Sequence, residues 1–133
     1  MVYGEQRGAA AGDFDEDGRV DLVVSQNGAA TRLFRNVGGA PGLRVRLLGP
    51  SGNPQGIGAT VRLHFDKGIG AAREIHAGSG YWSQDSAVAV LSIPEPPRHI
   101  SVLWPGGKTV KAAVPALARE IAVDYDGSVK LVR

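Results

Sequence analysis

The sequence predicts an all-β chain, a β-sandwich preceded by a β-hairpin. Three observations point there. Short runs alternate apolar and polar residues with a period of two. Nineteen Gly and eight Pro stand between these runs as turn punctuation. No segment carries a convincing helical period. The nearest, "VPALAREIAV", contains Pro115 and ends in β-branched residues, so it reads as a turn followed by a strand.

Taken in order, "VDLVVSQ" and "TRLFRN" are two short strands separated by "NGAA". "NVGGAPGL", residues 36–43, has the composition of a linker and divides the chain into residues 1–42 and 43–133. "LRVRLLG" then places Leu43, Val45 and Leu47 on one face and Arg44 and Arg46 on the other. "TVRLHF" sets Val61, Leu63 and Phe65 against Arg62 and His64. "AVAVLSI" is apolar on both faces and predicts a central strand. "HISVLW" puts Ile100, Val102 and Trp104 opposite His99 and Ser101, which assigns Trp104 to the core. "WPGGK" turns into a strand near residues 108–112, and "REIAVDY" and "SVKLV" flank the hairpin turn Asp126-Gly127. Seven or eight such strands after residue 42 predict a sandwich.

Composition bounds the function. A chain of 133 residues is one domain by length. It has no cysteine, which excludes a disulfide scaffold and any thiolate metal site. The net charge is +2, unevenly placed: residues 1–42 hold four Lys/Arg against six Asp/Glu, and the remainder is basic. That excess is spread over many strands rather than clustered, so nucleic acid is not expected as a partner. No apolar run approaches the ~20 residues that span a bilayer, and "MVYGEQRGAAAGDF" lacks the apolar region of a signal peptide.

The stretch "GDFDEDGRVDLVVS" carries the chemistry. Asp13, Asp15, Asp17 and Asp21 fall within nine positions, in the pattern D-x-D-x-D-G-x-x-D. A hard dication such as Ca2+ takes six to eight oxygen ligands. Alternate carboxylates at loop positions 1, 3 and 5 turn inward if the chain curls, Gly18 permits the turn, and Arg19 supplies its backbone carbonyl with its side chain pointing away. Asp21 closes the set at the start of the strand. An EF-hand needs a Glu at position 12, on a helix, whereas position 12 here is Val24 in a β run. Ca2+ is favoured over Mg2+, which keeps several waters. The competing reading is an acidic turn capped by its own Asp side chains. A site this full of ligands leaves no open position for a substrate, so no catalytic residue is assigned.

Other motifs are weaker. "GIGATV" precedes a strand and not a helix, against a dinucleotide loop. Ser79 in "GSGYWS" is not in a nucleophile elbow, and a hydrolase through Ser79 is the remote alternative. His64, His76 and His99 occupy polar phases of their strands and read as surface residues, with Glu74 a local partner of His76. Asp124 and Asp126 belong to a hairpin turn. Tyr81 and Trp82, with Gln84 and Asp85 nearby, could stack on a sugar ring; the two aromatics could equally plug the end of the sandwich.

The acidic stretch and the following "NGAATRLFRNVGG" resemble one FG-GAP or VCBS repeat, a blade of an integrin-α-type propeller. "LRVRLLG", "NPQGIGATVRL", "REIHAGSGYWSQDS" and "ISVLWPGGK" resemble, in order and spacing, the ASPIC/UnbV domain that follows such repeats in cartilage acidic protein-like proteins. The resemblance implies a UnbV-type sandwich, a Ca2+-binding repeat, and an extracellular or cell-envelope setting, with any export signal lying outside this chain. It implies a non-catalytic recognition or adhesion module with a protein or glycan ligand. A lone blade exposes strand edges, from which a homodimer is expected.

Overall fold

The computed structural model describes residues 4–133 and contains only β-strands, turns and loops in that span. Three strands form an N-terminal antiparallel meander: β1 (Glu5–Gly12), β2 (Asp21–Asn27) and β3 (Arg32–Phe34), in the order β1-β2-β3. The β2–β3 hairpin matches the sequence expectation. The strand β1 does not appear in it, because "EQRGAAAG" has neither β-branched residues nor alternation; its register against β2, from Glu5↔Asn27 to Gly12↔Asp21, holds it in place. The acidic residues therefore occupy the β1–β2 connection.

The remaining strands are β4 (Leu43–Leu48), β5 (Thr60–Phe65), β6 (Gly68–Ile69), β7 (Arg73–Glu74), β8 (Ala89–Leu91), β9 (His99–Leu103), β10 (Thr109–Ala113), β11 (Glu120–Asp124) and β12 (Val129–Leu131). They form a five-stranded sheet, β10-β9-β5 with β6 and β7 both along the far edge of β5, and a four-stranded sheet, β12-β11-β4-β8. The short β6 and β7 bring the number of strands after residue 42 to nine. The inward residues of both sheets make one core: Leu43, Val45, Leu47, Ile121 and Val123 from one, Val61, Leu63, Ile100 and Val102 from the other. Each fully buried aliphatic side chain contributes about 1.5–3 kcal/mol, and this shared core is what makes the two sheets a sandwich.

Trp104 is the largest side chain in that core and 1% exposed, as its phase predicts. It meets Tyr125 edge-on at 5.1 Å between centroids, and Lys108 covers the outer face of Tyr125 at 3.9 Å. Two features differ from the sequence expectation. "AVAVLSI" is not a central strand: only Ala89–Leu91 pair, with β4, at the edge of the four-stranded sheet. Pro94, Pro96 and Pro97 follow directly and cannot extend a ladder. The central pair is instead β4 with β11, parallel from Glu120↔Arg44 to Asp124↔Leu48, which joins segments far apart in sequence.

The meander is tied to the sandwich at several points. Ala11 N–H donates to Asp85 Oδ1 at 2.7 Å, and Ser86 N–H donates to Ala11 O at 2.9 Å. Gly42 N–H donates to Gly18 O at 2.7 Å. A Cβ at Gly42 would lie 2.4 Å from Leu91 O, so the chain entering β4 passes β8 at a distance that only glycine allows.

Candidate metal centre

Residues 13–20 curl between β1 and β2, and Gly18, at φ +84°, supplies the turn. The curl directs backbone N–H groups onto the carboxylates. Asp13 has a side chain 1% exposed; it accepts from Asp17 N–H at 3.0 Å and Gly18 N–H at 2.8 Å. Asp21 is buried and accepts from Phe14 N–H at 3.0 Å and Asn36 N–H at 2.8 Å. Asp15, more exposed, meets Arg35 Nε at 2.5 Å.

Asp13, Asp15 and Asp21 each present one oxygen such that the three lie within 4.8 Å of one another. Each ionised carboxylate has about four lone-pair sites, so the hydrogen bonds above leave acceptor capacity on all three. The donor set is all hard oxygen, which suits Ca2+ or Mg2+ and not a soft metal. Three carboxylates leave further positions of a six- to eight-coordinate ion to carbonyls and water.

Asp17 lies outside this trio. Its Oδ1 accepts from Arg19 N–H at 2.9 Å, and its Oδ2 accepts from Arg19 Nη1 at 2.8 Å, with Arg35 Nη2 3.8 Å away. The Arg19 side chain thus turns back onto the loop instead of pointing away, because a carboxylate two residues earlier and the Gly39 carbonyl, 2.5 Å from Nε, both receive it. Burial would raise the Asp17 pKa, but these hydrogen bonds and the charges of Arg19 and Arg35 outweigh it and hold the acid below its ordinary value.

The sequence expectation placed Arg44 on the polar, outward face of β4. The face is correct, but the residue is buried there, because the acidic loop closes over it. Its Nη1 donates to Asp13 Oδ2 at 2.7 Å and its Nε to Glu120 Oε2 at 2.9 Å, with side chains only 5% and 2% exposed for Arg44 and Glu120. Arg46 Nη2 at 3.3 Å and Arg133 Nη2 at 3.1 Å also reach Glu120, and Arg133 pairs with Glu16 as well. Desolvation pushes the Glu120 pKa up, yet hydrogen bonds and charge from Arg44, followed by Arg133 and Arg46, bring it below the usual carboxylate value. The Arg44 pKa is raised: burial works against the charge, and the bonds to Asp13 and Glu120 overcome it. Arginines therefore neutralise much of the acidic loop, a role the sequence reading gave to a dication alone. The only signal for it was an Arg at an outward strand position, which a solvated face would show equally.

The other candidate residues lie elsewhere. Tyr81 and Trp82 are 67% and 86% exposed, with ring centroids 6.0 Å apart, and Gln84 beside them is exposed. Asp85 is engaged with Ala11 N–H. Ser79 immediately precedes the Gly80–Ser83 bridge, its N–H donating to Ser83 O at 3.0 Å. His76 Nδ1 is 3.6 Å from Glu74 Oε1, while His64 and His99 face each other across β5 and β9. Among the described residues no helix is long and apolar enough to cross a membrane.

No curated protein matches the chain. The model of the family described as ASPIC and UnbV matches residues 49–130, from the turn after β4 to the middle of β12. That match covers more than half of the chain and takes in every sandwich strand from β5 to β11 and the start of β12; the chain belongs to the ASPIC and UnbV family.

Proposed function

We propose that this chain is a non-catalytic recognition module of the cell exterior, in which residues 1–42 form an FG-GAP/VCBS-type Ca2+-binding unit docked on an ASPIC/UnbV sandwich of residues 43–133. The observation that carries it is the convergence of oxygens from Asp13, Asp15 and Asp21 within 4.8 Å, two of the three carboxylates being buried. Buried carboxylates are retained only when their charge is answered. Arg44 answers Asp13, but Asp21 has only backbone N–H groups. A dication in the trio supplies the missing charge and fixes the β1–β2 connection against β4. In this reading Ca2+ has a mechanical role: it rigidifies a surface and takes part in no reaction.

A second reading, carbohydrate recognition by Tyr81 and Trp82, is supported by the exposure of two adjacent aromatic rings in a Gly-flanked loop. Ligand recognition by this loop and self-association through the edge of β3 are both compatible with a non-catalytic module.

Thermal melting with Ca2+ and with chelator tests the primary reading. A ligand present at about 100 times its Kd adds about 2.7 kcal/mol, so Ca2+ raises Tm by several degrees. Asp15→Asn, which removes the most exposed member of the trio, abolishes the rise while leaving the chelated Tm near that of the parent. Equal Tm in both buffers removes the metal from this account.

A further inference from the structure

The outer face of the five-stranded sheet, on the side of the sandwich away from Arg44 and the acidic loop, has an unusual charge pattern. By register, Ser101 of β9 lies between Arg62 of β5 and Lys111 of β10. In the next row His64 lies opposite His99, and in the preceding row Leu103 lies between Thr60 and Thr109. Arg62, His99, Leu103, Thr109 and Lys111 are exposed, and His64 and Ser101 are half-buried, with His64 Nε2 and Ser101 Oγ 2.8 Å apart. Arg62 and Lys111 thus flank Ser101 from the strands on either side of β9, and the two histidines are direct cross-strand partners.

Nothing in the sheet answers them. Asp66, just beyond His64, is held by Arg98 through bonds of 2.9 and 2.8 Å. Glu74 of β7 stands opposite Thr60 and is 3.6 Å from His76, and Ile69 of β6 stands opposite His64. Among the described residues no ion pair joins Arg62, Lys111 or His99 to a carboxylate. Desolvation, followed by the charges of Lys111, His99 and Arg62, holds the His64 pKa below its ordinary value. The face thus accumulates positive charge as the pH falls.

We propose that this face binds an acidic polysaccharide, its sulfate or carboxylate groups set against Arg62, Lys111, His64 and His99 and its hydroxyls against Ser101 and Thr109. Strands ~4.8 Å apart and rows ~7 Å apart spread the cations over a flat array. Such an array suits an extended chain of repeated charges better than one small anion, which needs convergent donors. The face presents no Phe, Tyr or Trp ring on which bases could stack. An acidic peptide would gain main-chain bonds only at the edge of β10, away from the cation rows. Binding here needs no metal and is independent of the acidic loop.

The test is calorimetric titration of the full chain with a heparin-derived oligosaccharide at pH 7.5 and pH 5.5. Binding is expected to weaken with salt and to tighten at the lower pH as His64 gains charge. Arg62→Gln with Lys111→Gln, both at exposed positions, weakens binding about tenfold or more at an unchanged Tm. His64→Gln keeps the binding at pH 7.5 and loses the gain at pH 5.5. Unchanged affinity in the folded Arg62→Gln/Lys111→Gln variant would overturn the proposal. So would polyglutamate or duplex DNA binding as tightly as the oligosaccharide through the same residues.

Discussion

Arg44→Met probes the junction between the acidic loop and the sandwich most sharply. The guanidinium lies between two buried carboxylates, 2.7 Å from Asp13 Oδ2 and 2.9 Å from Glu120 Oε2, and also reaches the Asp13 carbonyl at 3.2 Å. Met fills much of the same volume, so the perturbation is one of charge and hydrogen bonding more than of packing. Removing one partner of a buried pair costs about 3–5 kcal/mol, because the other charge stays buried. Glu120 keeps Arg46 and Arg133, and Asp13 keeps two backbone N–H groups, which places the expected loss near the lower end of that range. For a domain of this size about 3 kcal/mol corresponds to a fall in Tm of roughly 10–15 °C. Urea unfolding by Trp fluorescence gives the same quantity as a shift in midpoint. Acid sensitivity supplies a second readout. The folded pKa of Glu120 lies below 4.5, so its stabilisation is complete above that pH and is lost as the pH falls through the folded value. Without Arg44 the folded pKa moves back up, so less stability is lost on acidification and the profile flattens. A cost below about 1 kcal/mol, the worth of an exposed pair, would refute the claim that the junction is buried and closed.

Three further outcomes follow from the same geometry. Gly18→Ala places a side chain at φ +84°, with its Cβ 2.9 Å from Gly42 O; a loss of about 2 kcal/mol or more by urea titration is expected, and a neutral result would mean the loop relaxes freely. Trp104→Ala costs about 3–5 kcal/mol. Trp104→Phe costs much less, since the buried indole N–H has no partner and a phenyl ring removes that penalty; equal losses in the two variants would contradict this. The His64 pKa is lowered from 6.5, so its neutral form contributes stability that is full above pH 6.5 and is lost as the pH falls through the folded value. His64→Gln should accordingly flatten Tm between pH 7.5 and pH 5.5, and an unchanged slope would place the pH dependence elsewhere.

Much of the sandwich was legible because its strands are half-buried. In β4, β5 and β9 the alternation of core and surface residues is visible in sequence, and Asp126-Gly127 announces the β11–β12 hairpin. Where the local pattern is weak, placement comes from the partner. β1 is rich in Ala and Gly, carries no strand signal, and is held by its register with β2. The parallel pairing of β4 with β11 depends on contacts between Arg44 and Glu120, 76 positions apart, and no local pattern encodes it. The apolar run around Ala89 was misread because it is covered by the core on one side and borders a cavity of about 500 Å3 at the open edge of the sandwich, without a second neighbouring strand. The spacing of the acidic loop singled out Asp13, Asp15, Asp17 and Asp21 with the Arg19 carbonyl; the structure brings Asp13, Asp15 and Asp21 together, while Asp17 stands apart because Arg19 and Arg35 face its oxygens. Charge alone could not say whether arginines or a dication would answer those carboxylates, since both meet the same electrostatic need.

Calorimetric titration of the chelator-stripped chain with Ca2+ addresses that division directly. One site per chain is expected, with a Kd near the 10⁻⁴–10⁻³ M of extracellular Ca2+ modules, weaker binding of Mg2+, and loss of the signal in Asp15→Asn. No heat of binding at millimolar Ca2+ from a chain that melts cooperatively would contradict it, and would leave Arg44, Arg35, Arg19 and Arg133 as the loop's counter-charge.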